Sequence, residues 1–463
     1  MSKFFFFPLL FFVSVGLSAQ TGGDNRNEFL RRSSAQAQEY RSGKRQEYGA
    51  FLRRTWNATA ESQPKEDPFR RGDAGRPAED PPQDVVTPIS DVPAIPKTIP
   101  LLDEEAISRG SFPFRFYGRT FKVRYDDHDI PLPSVGEQDV AKAWDELAVS
   151  ATPLLDDCLT IRDSESLCDW AYLQLIDSLS TAIYPSALNK RELLFGFLMG
   201  MSGYNIRFGR SGDDLTCLYA AEQIIYARPY FSKDGAYFFR HRPGQGALEL
   251  SDSTPVAARP LDLTLTRSPA FTSGHEMVRH IETGGIGFDF RIPQSQLDFY
   301  ASYPHTEMYI KADAPVSEAV KETVYPALSS SISGLGEVDA VNKLLGFVQG
   351  LMEYRTDGSR WGYEKWNFPE ESFYYLCGDC DDHAILFSRL VRDLVGLDVL
   401  LVECEVDGAP HETTAIRLSE SLKGDSIRYH GDVYYCCEPT SNVAKVGERR
   451  WKNYVVKRLD KVK

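Results

Sequence analysis

Cysteine is scarce in this chain: eight in 463 residues, too few for a scaffold built from disulfides. Positive charge is in deficit. Lys and Arg number 52 against 66 Asp and Glu, for a net charge of −14, which argues against a nucleic-acid partner because no excess of cations exists to displace counterions from phosphates. After residue 19 no apolar run is long enough to span a bilayer. Glycine-rich phosphate loops and a G-x-S-x-G elbow are missing. What remains is an ordinary globular composition, 42% apolar and 25% charged, which excludes wholesale disorder and a collagen-like fibre. At this length the chain should hold roughly two to four domains.

Lys3, the apolar stretch 4–17 and Ser18-Ala19-Gln20 read as a cleaved signal peptide over residues 1–19. The mature protein is then exported, to the periplasm, the cell surface or the medium, with no transmembrane segment after the signal peptide. Residues 20–63 are polar, with Phe29, Tyr40, Tyr48, Phe51 and Trp56 scattered through them; they suit an amphipathic helix over 34–56 or a solvated tail. Residues 64–105 form a linker, because nine of the 27 prolines fall between Pro64 and Pro100 and each fixes φ and removes a donor.

The ordered part reads as an α+β protein. Residues 106–245 open on a hairpin in which Phe112, Phe114, Phe116 and then Phe121, Val123, Tyr125 alternate about Gly118, and continue with helical spacing at Val140, Ala141, Trp144 and Leu147. Residues 246–315 show period two at Leu261, Leu263, Leu265 and at Ile286, Phe288, Phe290, which predicts a β-rich module, a small sandwich. Residues 316–463 place helices over 338–352 and 381–395 and strands over 397–404, 412–418 and 433–437. The segments around 193–238 and 385–435 echo each other weakly, which predicts that 106–245 is a degenerate copy of the C-terminal domain. Leu188 then falls where Cys380 would be, and no histidine occurs between Asp129 and Arg240.

The chemistry concentrates at 377–383, Cys-Gly-Asp-Cys-Asp-Asp-His. Cys380 sits where an apolar helix begins, and a helix N-terminus favours thiolate over thiol. Asp379, Asp381 and Asp382 oppose that effect while suiting the first helical turn. His411 follows after a turn at Asp407-Gly408-Ala409-Pro410, and Glu438 ends a later strand. Nucleophile, base and orienting carboxylate can meet in this order. Each residue also has a bland reading: an inert buried thiol, a structural imidazole, a turn cap. Cys377 and Cys380 form a C-x-x-C that could instead be a redox pair. Cys377, Cys380, Cys436 and Cys437 make a poor zinc set because two are adjacent, and His275-Glu276-x-x-x-His280 is one residue too long for a zincin pair.

Gly378-Asp379-Cys380-Asp381-Asp382, Gly408-x-x-His411 and Cys437-Glu438-Pro439-Thr440 together resemble the transglutaminase-like superfamily, whose fold is papain-like. Tyr354-x-x-Asp357, Gly362-Tyr363-Glu364-Lys365 and Phe368-Pro369-Glu370-Glu371 resemble a group of exported bacterial transglutaminase-like proteins. The resemblance implies that Cys380 is the nucleophile, His411 the base and Glu438 the orienting acid, where Asp is the commoner residue. It implies acyl transfer on a protein or peptide amide, with no cofactor and no metal. The Cys380 N–H and Gln349, on the preceding helix, are candidate oxyanion donors. A non-catalytic surface or assembly module that keeps the fold is the alternative.

Overall fold

The computed structural model describes residues 48–50, 52–54, 56, 63–65 and 111–463, except 126–128, 234, 252–257, 272–273 and 450. The expected signal peptide, residues 1–19, and nearly all of the expected linker, residues 64–105, lie outside the described residues. Of the polar segment, residues 48–50 and 52 are helical. Tyr48, Leu52 and Trp56 are buried, and the Tyr48 ring stacks on Trp144 with centroids 4.8 Å apart.

The predicted hairpin is β1 (Ser111–Phe116) and β2 (Arg119–Arg124), paired antiparallel. Four helices follow: α1 (Glu137–Ser150), α2 (Thr152–Ser164), α3 (Asp169–Ile183) and α4 (Leu188–Met201). Then come β3 (Ile206–Ser211), β4 (Asp214–Ala221), β5 (Tyr230–Lys233), β6 (Ala236–Arg240) and β7 (Glu249–Leu250). They form one sheet in the order β5-β6-β4-β3-β7.

The described residues of 246–315 do not form the expected sandwich. They contain β7, one hairpin of β8 (Glu276–Thr283) with β9 (Ile286–Pro293), and the helices α5 (Gln294–Ser302) and α6 (Met308–Asp313). Leu261, Leu263 and Leu265 are buried as their alternation requires, yet they have no ladder partner beyond the bridge of Leu261 to Ala221. Side chains take the backbone donors instead: Asp262 N–H donates to Asp169 at 2.9 Å, Leu263 N–H to Gln223 at 2.8 Å and Thr264 N–H to Asp262 at 2.9 Å. Period two reports an extended chain, and an extended chain need not be in a sheet.

After α7 (Glu318–Thr323) and α8 (Tyr325–Ile332), α9 (Glu337–Leu351) packs on the C-terminal half. The chain continues through β10 (Glu353–Tyr354), α10 (Asp357–Arg360), α11 (Pro369–Tyr375), β11 (Cys377–Gly378) and α12 (Cys380–Leu394). It ends in β12 (Val399–Val406), β13 (Ala409–Ile416), β14 (Ser426–Tyr429), β15 (Asp432–Cys437) and β16 (Tyr454–Val462). This sheet has the order β14-β15-β13-β12-β16, the same as the first sheet strand for strand. Each follows a buried helix, α4 or α12. Leu188 is the first residue of α4 and Cys380 the first of α12. The apolar side chains of both halves join in one core.

Candidate functional site

Helix α12 begins where it does for local reasons. Asp379 has extended backbone angles, and its side chain accepts the N–H of Asp381 as an N-cap. Ala384, Ile385, Phe387, Leu390 and Val391 bury one face. Upstream, Leu376 takes a left-handed φ of 57° that ends α11 and turns the chain into β11. Gly378 is required sterically, because a Cβ there would stand 2.3 Å from an Asp382 carboxylate oxygen. Asp382 is fully buried and accepts from Asn367, at 2.6 Å from its backbone and 3.0 Å from its amide.

These turns put Cys380 at the start of α12 against β13. The backbone N–H of Glu412, the residue after His411, and the Tyr354 hydroxyl, from β10, both neighbour Sγ. Sγ itself donates to Asp381 Oδ1 at 3.6 Å. His411 Nε2 lies 3.1 Å from Glu438 Oε2, which leaves Nδ1 as the ring nitrogen free for another partner. The His411 ring is held edge-on to Trp451, centroids 4.7 Å apart. The second carboxylate oxygen of Glu438 accepts from the Thr440 N–H at 2.9 Å and from the Thr440 hydroxyl. Among the described residues no hydrogen bond joins Sγ to the His411 ring.

The electrostatics differ from the sequence expectation. Burial pushes the Cys380 thiol well above its ordinary range, and Asp381 and Asp379 push it further; the Glu412 N–H opposes them. Desolvation first, then the Asp381 carboxylate, outweighs the helix N-terminus at this thiol. Asp379 is itself pushed up to about 8 by burial, then by Asp381 and Asp357. Burial raises Asp357 to about 6 and Asp382 well above the carboxylate range.

Two groups here have donor atoms within 4.8 Å of one another, Asp379 with Cys380 and Asp381, and Asp357 with Asp379 and Asp382. That spacing could serve a cation. Within the protein, protons held on Asp379 and Asp382 and the Arg360 guanidinium, 4.0 Å from Asp382, offset the charge of the second group.

Gln349, a candidate oxyanion donor from sequence, has its amide protons engaged elsewhere. Its amide nitrogen donates to two carbonyls, Glu438 and Ala444, each at 3.0 Å, so both its protons hold the loop that carries Glu438. Cys377 lies on β11, opposite Glu353, and its carbonyl accepts from Arg360 at 2.8 Å. Cys377 and Cys380 are free thiols, as are Cys436 and Cys437. His275 precedes β8, and His280 pairs with Asp289 at the surface.

Tyr354 and Trp451 were not legible as site residues. Tyr354 arrives through a two-residue parallel bridge in which it lies opposite Gly378, and no periodicity announces so short a pairing. In the companion half, Asn189 takes the place where α4 meets β4: it accepts the Leu215 N–H at 2.9 Å and donates to the Asp213 carbonyl at 2.8 Å. Neither the protein-family models nor the curated proteins compared with this chain match it.

Proposed function

We propose that the protein is an exported cysteine-dependent acyl-transfer enzyme of transglutaminase-like type, with a papain-like C-terminal domain acting on a protein or peptide amide. One observation carries the reading: three residues 31 and 27 positions apart, chosen from sequence, gather around the α12 start and β13, with His411 bonded to Glu438 and Sγ neighbouring the backbone N–H of the residue beside His411. In the reaction, the Cys380 thiol proton passes to His411 as Sγ bonds the carbonyl carbon and the carbonyl π pair moves onto oxygen. The oxygen pair returns, the C–N bond breaks, and His411 gives its proton to the leaving amine. Water or a second amine then takes the acyl group from the thioester. Glu438 holds the imidazolium that forms. Because the resting thiol is neutral, proton removal accompanies attack instead of preceding it.

4-Nitrophenyl acetate tests this. The native chain should release a burst of one nitrophenolate per molecule and gain one acetyl group on Cys380. Cys380→Ser and His411→Ala should lose the burst. A native chain that is never acetylated at Cys380 defeats the proposal.

One observation favours a second reading, a non-catalytic binding or assembly module. The thiol donates to Asp381 and is held neutral by its surroundings, as an inert buried cysteine would be. Such a module keeps its fold and partners when Cys380 is replaced, and shows no acylation.

A further inference from the structure

Resting on the acyl-transfer reading, we infer that Tyr354 is a catalytic residue that donates its hydroxyl to the oxyanion, opposite the backbone N–H of Cys380. Three features position it. The parallel bridge between β10 and β11 sets Tyr354 opposite Gly378, two residues before the nucleophile. The Arg355 N–H donates to the Gly378 carbonyl at 2.9 Å, which locks that register. The phenol ring lies 6.2 Å from the His383 ring, one turn into α12, so it crosses the first turn of the helix and reaches Sγ. Tyr354 is 53% exposed, so a ligand can reach its ring from solvent.

A donor in contact with the attacking sulfur is also close to the oxygen of a carbonyl bonded to that sulfur, since the two are separated by a single carbon. In the free protein the hydroxyl neighbours Sγ. When the Sγ–C bond forms, sulfur becomes a much weaker acceptor and the negative charge appears on oxygen. The hydroxyl needs only to rotate its hydrogen bond from one atom to the other. The phenol must keep its proton to do this. Burial, with Cys380, Asp379 and Asp381 nearby, raises its pKa above the ordinary tyrosine range, so it is a donor throughout neutral pH. Gln349, the donor expected from sequence, is occupied by two carbonyls.

The test compares two reactions of the same thiol in the intact chain. Acylation by 4-nitrophenyl acetate passes through an oxyanion; alkylation by iodoacetamide does not. Tyr354→Phe keeps the ring and removes the donor. It should slow acylation of Cys380 by about a hundredfold, the usual cost of one oxyanion donor. Alkylation at pH 9 should change by no more than about threefold, since the variant removes one neutral hydroxyl beside the sulfur and leaves the rest of its surroundings in place. Equal acylation by the variant and the native chain overturns the inference. So does an equal fall in both reactions, which would make Tyr354 a group that sets thiol reactivity or local packing. A native chain that is alkylated but never acylated defeats the acyl-transfer reading and this inference with it, and is distinguished from the first two outcomes by the native control alone.

Discussion

His411 Nε2 and Glu438 Oε2 lie 3.1 Å apart, and the other oxygen of the same carboxylate is held by Thr440. Glu438 is thus oriented from both sides. Glu438→Gln keeps the shape but presents an amide to either His411 or Thr440. It should slow acylation less than His411→Ala does, because the carboxylate supports the imidazolium whereas the imidazole moves the proton. Thr440→Val should give a smaller loss of the same kind. The burst rate with 4-nitrophenyl acetate orders the three. A silent Glu438→Gln beside an essential Asp381 would assign the acid to the thiol's own neighbour.

Gln349 spans from α9 to the loop that carries Glu438. Gln349→Leu should lower the acylation rate by about tenfold through loosened positioning of the acid, and should leave thiol alkylation unchanged. Loss of alkylation would show that Gln349 acts on the thiol directly.

Gly378→Ala should be among the more damaging single changes near the site. The added methyl meets Asp382, whose carboxylate holds Asn367. A cost of about 2–4 kcal/mol is expected in urea unfolding, from overpacking and a lost buried hydrogen bond. A variant as stable as the native chain would mean that β11 can shift away from α12.

The contribution of Glu370 to stability should fall as pH rises from about 4 to about 7. Burial raises its carboxyl to about 7, whereas an unfolded Glu titrates near ~4.3. The folded state therefore binds more proton between those values. The stabilisation is complete below the unfolded pKa and is lost as pH climbs through the folded one. Glu370→Gln should change little at pH 4.5 and should stabilise at pH 8, by up to about 3 kcal/mol. Equal effects at both pH values in urea unfolding would refute the assignment.

The elements that announce themselves in sequence are those whose pattern comes from burying one face. Val341, Leu345 and Val348 mark α9, which is buried along a helical stripe, and Ile385 to Val391 mark α12, which is buried on all sides over that stretch. The hairpin β1–β2 is legible from its alternating aromatics. Glu438, His411 and Cys380 were legible because each stands at an element boundary with its own turn residues. β14 and β16 were not: both lie at the edges of their sheet, and their partly exposed faces dilute the apolar alternation. The neutral state of Cys380 was also hidden. The aspartates beside it in sequence were visible, but the depth of burial that turns them against the thiol depends on α11, β13 and the 357–365 loop closing around them.

Two sheets of one strand order within one chain make each half a competitor for the other during folding. Both pairs β3–β4 and β12–β13 are closed by two-residue turns, so either hairpin could dock on the wrong helix and form a compact, misassembled chain. Side-chain shape at the helix–sheet contact discriminates between them. On α4, Gly196 admits Phe208, whose ring would stand 2.4 Å from a Cβ at that position. The matching position on α12, eight residues after its first, carries Ser388, fully buried, and has no such hollow. Phe208 is thus a key that fits one helix and not the other. On α12 the same ring would meet the Ser388 side chain, so the β3–β4 hairpin packs better on its own helix.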